Sequence, residues 1–323
     1  IGAIYNYNRN KLDELPNADQ YLYSSYWGSS SLVPTNDYMF VEGKAIGLVR
    51  GFVSEGFYTV NDFRYENGQY ILKEGIPDIT KALTATYMHP FNIPNGQTAF
   101  PGAAKFRDVN NSGTVDLDDA TCLGEVMPRH TGSFQLNFNY KNFDLSSNFN
   151  WTAGGKVYNV AAMINASGQE FDGIGAQRTS WVADTYKVYN VNSSGDLYAV
   201  TDPNELNALN ANAKYHLPYH QSGITSSEWL EDGSYLRLQT LTLGYTLPHT
   251  VLNKIHIEKL RIYLTATNLF TITGYSGIDP EVNATPTGQS GFYSNLRVFP
   301  TLNMDFGTYP RARTFTLGAN ITF

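Results

Sequence analysis

The chain has 323 residues, 42% of them hydrophobic and only 16% charged, with a formal net charge of −7 and a pI of about 5.4. No basic stripe is present, which argues against a nucleic-acid partner, and no apolar run reaches the roughly 18 residues of a membrane helix. The single cysteine, Cys122, excludes an internal disulfide and a cysteine-rich zinc site.

These exclusions leave a membrane open. A β-barrel crosses with alternating strands of about 9–11 residues, which leave the average unremarkable, and the mean hydropathy of −0.31 is unremarkable in this sense. Alternation is the dominant signal along the chain. Ala3, Tyr5 and Tyr7 alternate with Ile4, Asn6 and Asn8, predicting a strand over about 1–10. The chain opens at Ile1 inside this pattern, with no Met, basic region or apolar signal core before it. The natural polypeptide is therefore expected to begin upstream.

Phe134, Leu136, Phe138 and Tyr140 alternate with Gln135, Asn137 and Asn139, predicting a strand over 131–141. After the short turn at Lys141 and Asn142, Phe143, Leu145, Phe149 and Trp151 alternate with Asp144, Ser146, Asn148 and Asn150, predicting its hairpin partner over 143–153. A fourth strand is expected over 234–247, where Leu236 and Leu238 fall on even positions but Leu241, Leu243 and Tyr245 on odd ones. One extra residue near Gln239 and Thr240, a β-bulge, accounts for the change of phase. Leu260, Ile262, Leu264 and Ala266 mark a fifth strand over 258–268, and Phe315, Leu317, Ala319, Ile321 and Phe323 a sixth over 311–323.

The connections alternate long and short. Those at 11–130, 154–233 and 269–310 are long, and those at 141–142 and 248–257 short. Unstructured connections of more than about 12–15 residues are uncommon in compact soluble domains, whereas an outer-membrane barrel has short periplasmic turns and long extracellular loops. Period-two strands also build soluble sandwiches. The polar faces here are rich in Asn, Thr, Ser and Gln, which suits a water-filled lumen. Aromatics mark the strand ends at Tyr140, Phe143, Trp151, Tyr245 and Phe323, as an interfacial girdle would.

One loop has the spacing of a calcium site. Asp108, Asn110, Ser112, Thr114 (through its carbonyl), Asp116 and Asp119 occupy positions one, three, five, seven, nine and twelve, with Gly113 at the sharp turn. Ser at the fifth position and Asp at the twelfth depart from the usual ligand set, and an Asx-rich turn with no metal is the competing reading. A structural Ca²⁺ is the expectation. His216 and His220 are four apart but Pro218 separates them, so no zinc site is expected. No nucleophile elbow or phosphate loop occurs, and the chain is not expected to be an enzyme. Trp27, Trp181 and Trp229 lie in the long connections and are weak candidates for substrate contact, against the commoner role of loop packing.

Several segments resemble the C-terminal third of SusC/RagA-type TonB-dependent importers. They are WLEDGSYLRLQTLTLGYTLP from Trp229 to Pro248, NLF from Asn268 followed by YSGIDPE from Tyr275, and PRARTFTLG from Pro310 leading to Phe323. FRDVN from Phe106 through Asp119, with Pro128 and the strand from Gly132, and EGKAIG from Glu42 share that look. The resemblance implies an all-β chain: the C-terminal six strands of a barrel of about 22 strands, filled by a plug domain. It implies active import of oligosaccharides or oligopeptides across the bacterial outer membrane, with a SusD-like surface lipoprotein as lid. It also implies a TonB complex gripping a TonB box, and outer-membrane lipid around the wall. Plug and TonB box are absent from this sequence and are expected in the upstream segment. A secreted calcium-containing lectin-like module and a passive porin are the alternatives.

Overall fold

The computed structural model describes residues 1–16, 19–24, 33–84, 89–167, 183–217, 223–252, 257–282 and 303–323. Its largest sheet has six antiparallel strands in chain order: β1 (Gly2–Tyr7), β2 (His130–Tyr140), β3 (Phe143–Ala153), β4 (Tyr235–Thr246), β5 (Lys259–Thr273) and β6 (Thr314–Thr322). Each strand pairs with the next in sequence, so the sheet winds up and down with no crossover. The β2–β3 turn is two residues long, because Lys141 adopts a positive φ of 53° and lets Tyr140 face Phe143 directly. All the short turns lie at one end of the sheet and all the long connections leave from the other.

The register turns the alternation of the sequence into rows. On one face Phe138, Leu145, Leu243, Leu264 and Leu317 lie side by side across five strands. The row nearer the short turns is Tyr140, Phe143, Tyr245, Ile262 and Ala319. Aromatic contacts run along this face, with Phe134 stacked on Phe149 at 4.5 Å and Phe143 tilted against Tyr245 at 4.7 Å. The face is nonetheless open: Phe138 is 62% exposed, Leu317 75% and Phe323 86%. Exposed apolar side chains in continuous rows form a patch far beyond what a soluble surface carries. The opposite face is lined by Asn137, Ser146, Thr242, Thr265 and Thr316 in one row, and by Gln135, Asn148, Thr240 and Thr267 in the next.

The phase change in β4 is a bulge that grows from strand to strand. Between matched pairs, β3 advances from Asn148 to Phe149 while β4 covers Thr240 to Leu238. β5 covers Thr267 to Phe270 over the same step, with Asn268 at a positive φ of 50°. Leu238 thus returns to the apolar face beside Phe149 and Phe270, while Gln239 and Thr240 both join the polar face. The fifth strand consequently runs past the expected end at 268 to Thr273. β1 and β6 are shorter than the expected 1–10 and 311–323.

The long connections are not the structureless segments their length suggested. They fold together as a cap. Strands Gln20–Tyr23, Tyr38–Val41, Leu48–Gly51 and Thr121–Glu125 form a four-stranded sheet, and helices Val160–Ser167 and Pro203–Leu209 lie in the second connection. One core gathers Phe52, Tyr58, Phe63, Tyr70, Phe100 and Phe106 from the first connection with Tyr186, Val188, Leu206 and Ile224 from the second. Another joins Tyr23, Tyr38 and Val49 to Tyr158, Trp229 and Met304 of all three connections. Burial of each such side chain contributes about 1.5–3 kcal/mol.

Backbone bonds knit these segments. Phe52 and Ser227 each donate across the first junction, to Thr225 and Phe52 at 2.9 Å, and Asp305 donates to Tyr158 at 2.9 Å across the second. Gly51 permits the first junction, since a Cβ there would stand 2.3 Å from the Thr225 carbonyl.

Candidate functional site

The polar face of the sheet carries few charges, and they sit at its two ends. Toward the short turns, Asp144 on β3 and Arg261 on β5 pair across β4, with Arg261 Nε and Nη2 donating to the two carboxylate oxygens at 2.9 and 2.5 Å. Gly244 between them makes the crossing possible, because a Cβ there would lie 2.4 Å from Asp144 Oδ1. The Arg261 guanidinium lies 5.0 Å above the Tyr263 ring, and Tyr263 in turn lies over Gly318 on β6. The pair is partly solvated, with side chains 23% and 29% exposed, which holds its contribution to about 1 kcal/mol or less.

Toward the cap, Arg237 on β4 is buried at 2% exposure. Its Nη2 donates to Asp279 at 2.5 Å and lies 3.7 Å from Glu281, which also accepts from Arg311 at 2.7 Å. The four charges balance and join β4 to the segments after β5 and before β6. The Arg237 guanidinium lies 5.4 Å from the Tyr235 ring, and its Nε has no partner among the described residues. A buried ion pair of this kind is strongly destabilised by loss of either member, because the survivor is left charged in a medium that cannot solvate it.

Between these ends the polar face holds only amides and hydroxyls. Ser146 donates to Asn137 at 2.8 Å and the Thr242 and Thr265 hydroxyls meet at 2.9 Å. At the bulge, Gln239 Oε1 accepts from Asn148 at 3.3 Å and Asn150 at 2.8 Å.

The predicted calcium loop is well ordered by its own backbone. Asp108 accepts from the Ser112 and Gly113 N–H groups at 3.1 and 2.7 Å, and Asn110 from Ser112 at 2.9 Å. The Ser112 hydroxyl donates to the Thr114 carbonyl at 2.8 Å. Asp116 caps a short 3₁₀ turn by accepting from Asp118. Asp119 is fully buried, with one oxygen taken by Val109 and Asn110 and the other by Asp116. Among the described residues no three acidic, histidine or cysteine side chains converge as a metal cluster.

Trp229, 4% exposed, is a core residue, packed with Tyr158, Leu230 and Met304. Its indole is therefore not open to a substrate. Trp27 and Trp181 lie outside the described residues, as does His220. His216 is buried beside Glu228, Nε2 to Oε2 3.6 Å, and burial raises the Glu228 carboxyl above its usual range. Burial and the bond to Asp305 likewise push the Tyr275 hydroxyl far above the usual phenol range.

Sequence reasoning missed the two charged ends. The available signal was a charge on an otherwise uncharged strand face, at Asp144, Arg237 and Arg261. Nothing in the spacing showed which charge meets which.

An open antiparallel sheet with one continuous apolar face, one polar face charged only toward its two ends, aromatics at its ends and short turns at one end only is a segment of the wall of a large transmembrane β-barrel. No protein-family model matches the chain. It is 28% identical over 316 residues to TonB-dependent receptor P3 of Formosa agariphila, a match covering 98% of this chain and 26% of that protein. It is 27% identical over 225 residues to TonB-dependent receptor SusC of Bacteroides thetaiotaomicron, covering 68% of this chain and 17% of SusC. A solved structure of the RagAB peptide transporter superposes with a TM-score of 0.58 at 18% identity, over 99% of this chain and 27% of the other. The chain belongs to the TonB-dependent receptors of the SusC/RagA kind and matches their C-terminal barrel portion. It spans about a quarter or less of the length of the curated relatives it matches.

Proposed function

We propose that this chain is the C-terminal part of the barrel wall of a bacterial outer-membrane importer. That importer takes up large nutrients, oligosaccharides or oligopeptides, with energy delivered through TonB and with a SusD-like surface lipoprotein as its partner. The observation that carries this reading is the six-stranded sheet itself, apolar and exposed on one face and hydrated on the other. A secreted lectin-like module would not expose such rows, so the lipid-facing wall is the better reading.

In lipid each unpaired backbone group costs several kcal/mol, so the outer edges of β1 and β6 pair with strands from the rest of the receptor, including its first barrel strand. The cap then faces the cell exterior and offers the lipoprotein its seat. Similarity to TonB-dependent receptors supports the receptor class, and the likeness to the RagAB peptide transporter supports a peptide among the candidate cargoes. The test is purification of the tagged full-length receptor from detergent-solubilised outer membranes. A SusD-like lipoprotein should co-purify, and nutrient uptake should stop without TonB. A receptor found in the soluble fraction, or uptake indifferent to TonB as in a passive porin, would overturn the reading.

A second reading concerns the loop at Asp108–Asp119, whose spacing supports one Ca²⁺. The ligands would be Asp108, Asn110, Ser112, Asp116, Asp119 and the Thr114 carbonyl. Asp108 already curls the loop through Ser112 and Gly113, but Asp119 must release N–H bonds to reach an ion, so binding is weak. Terbium luminescence excited through nearby aromatics and displaced by calcium is the expected signal. Its absence, or its persistence in Asp108→Ala, counts against the site.

A further inference from the structure

Gln239 is held in a way that wall-building alone does not require. A bulge costs regular ladder bonds and re-aims a side chain, and this one turns Gln239 onto the polar face. Asn148 and Asn150 of the neighbouring strand both donate to its Oε1, which fixes the amide in one orientation. The Nε2 end is left as a double donor, and no described residue accepts from it.

We propose that Gln239, oriented by Asn148 and Asn150, is a contact site for the backbone carbonyls of an oligopeptide passing along the polar face. The proposal rests on the import reading above and names the substrate class. The choice of peptide over sugar comes from the same face. Sugar rings are held on open aromatic platforms, and the two aromatic rings here, Tyr235 and Tyr263, are each covered by a guanidinium, 5.4 and 5.0 Å away. Between them the face is uncharged and bears alternating donors and acceptors, which complements a neutral backbone rather than an acidic or basic polymer. A fixed amide donor makes a useful transit contact, since one hydrogen bond in water is worth only about 0.5–1.5 kcal/mol and releases readily.

The experiment uses the full-length receptor purified in detergent from outer membranes, as wild type, Gln239→Leu and Gln239→Glu. Each is incubated with a tryptic digest of casein and, separately, with a ladder of malto-oligosaccharides, and retained molecules are identified by mass spectrometry. Gln239→Glu keeps the acceptor for both asparagines and removes the two donor hydrogens, so it keeps the fold even if Gln239→Leu does not. Wild type should retain peptides, and Gln239→Glu roughly tenfold less at an unchanged melting temperature. Full retention by Gln239→Glu overturns the proposal, as does wild type holding only the sugars or nothing. A lowered melting temperature with unchanged peptide retention also overturns it, assigning the amide to a part of the receptor that fills the barrel. The import reading fails separately, by loss of the receptor from the outer-membrane fraction.

Discussion

The wall and the cap are made of the same residues under opposite rules. In the wall, Phe138, Leu243 and Leu317 stay exposed, and the fold is held by a ladder of backbone bonds between neighbouring strands, interrupted at the bulge. In the cap, Phe52, Tyr58 and Tyr158 are fully buried and strands run only a few residues before turning. The wall leaves its apolar surface open on one face, whereas the cap buries its own. Stability in the wall is therefore periodic and distributed, whereas in the cap it is concentrated in a few junctions between distant segments.

The largest expected effect lies where the two meet. Arg237 belongs to the wall and Asp279 to the segment that enters the cap, and both are buried. Arg237→Ala leaves Asp279 charged without its partner and should cost about 3–5 kcal/mol, read as a lowered melting temperature of the full receptor in detergent. Replacing the pair together with Arg237→Met and Asp279→Leu should recover most of that loss. If the single variant melts like wild type, wall and cap are not coupled through this pair.

Next comes a contrast across the thickness of the wall. Leu264 and Thr265 are neighbours on β5 that face opposite sides. Leu264→Lys puts a charge in lipid and should cost about 2–4 kcal/mol, whereas Thr265→Lys points into water and should fold with little loss. Folding yield into detergent or vesicles, with urea titration, ranks the two. Equal effects would mean that both faces are packed, as in a two-sheet sandwich.

The cap should respond to a smaller, local clash. At Gly51 a Cβ would meet the Thr225 carbonyl at 2.3 Å, while at Gly2 it would meet nothing within 4 Å. Gly51→Ala must push the first and second connections apart and should cost about 1–3 kcal/mol. Gly2→Ala should be silent. Limited proteolysis of the receptor in detergent reads the difference, as earlier cleavage of the cap with the wall left intact.

This contrast also explains what was legible in the sequence. The six wall strands show in the alternation of residues such as Phe315 to Phe323, because one face stays apolar and the other polar along the whole strand. Even the bulge was readable, since Leu238 and Leu241 cannot share a face in a regular strand. The cap was not readable. Its strands, such as Thr114–Val115 and Ala104–Phe106, are too short to show a period, and its cores pair residues from different connections. The same limit applied to Trp229, whose position in a long connection said nothing of its burial. It applied to Arg237 and Asp279 as well, whose meeting depends on how the third connection returns.

The smallest expected effect separates the cap from the wall by pH. Glu228 lies in the cap, where burial raises its carboxyl above the usual range and the facing His216 opposes that rise only in part. A group whose folded value is raised holds its proton more tightly in the folded state. It therefore favours the fold below its unfolded value, and that contribution is lost as pH climbs through the raised value. As pH rises above the usual glutamate range and through the raised value, the cap should thus lose a little stability on account of this carboxyl. Glu228→Gln, neutral throughout, should flatten that slope and melt slightly higher than wild type at the alkaline end, provided the amide keeps its packing. Thermal melts of the two receptors at matched ionic strength test this, with proteolysis of the cap as the readout. If the variant and wild type keep parallel pH profiles, Glu228 keeps its charge in the fold, and the burial that the cap imposes on it is relieved by solvent.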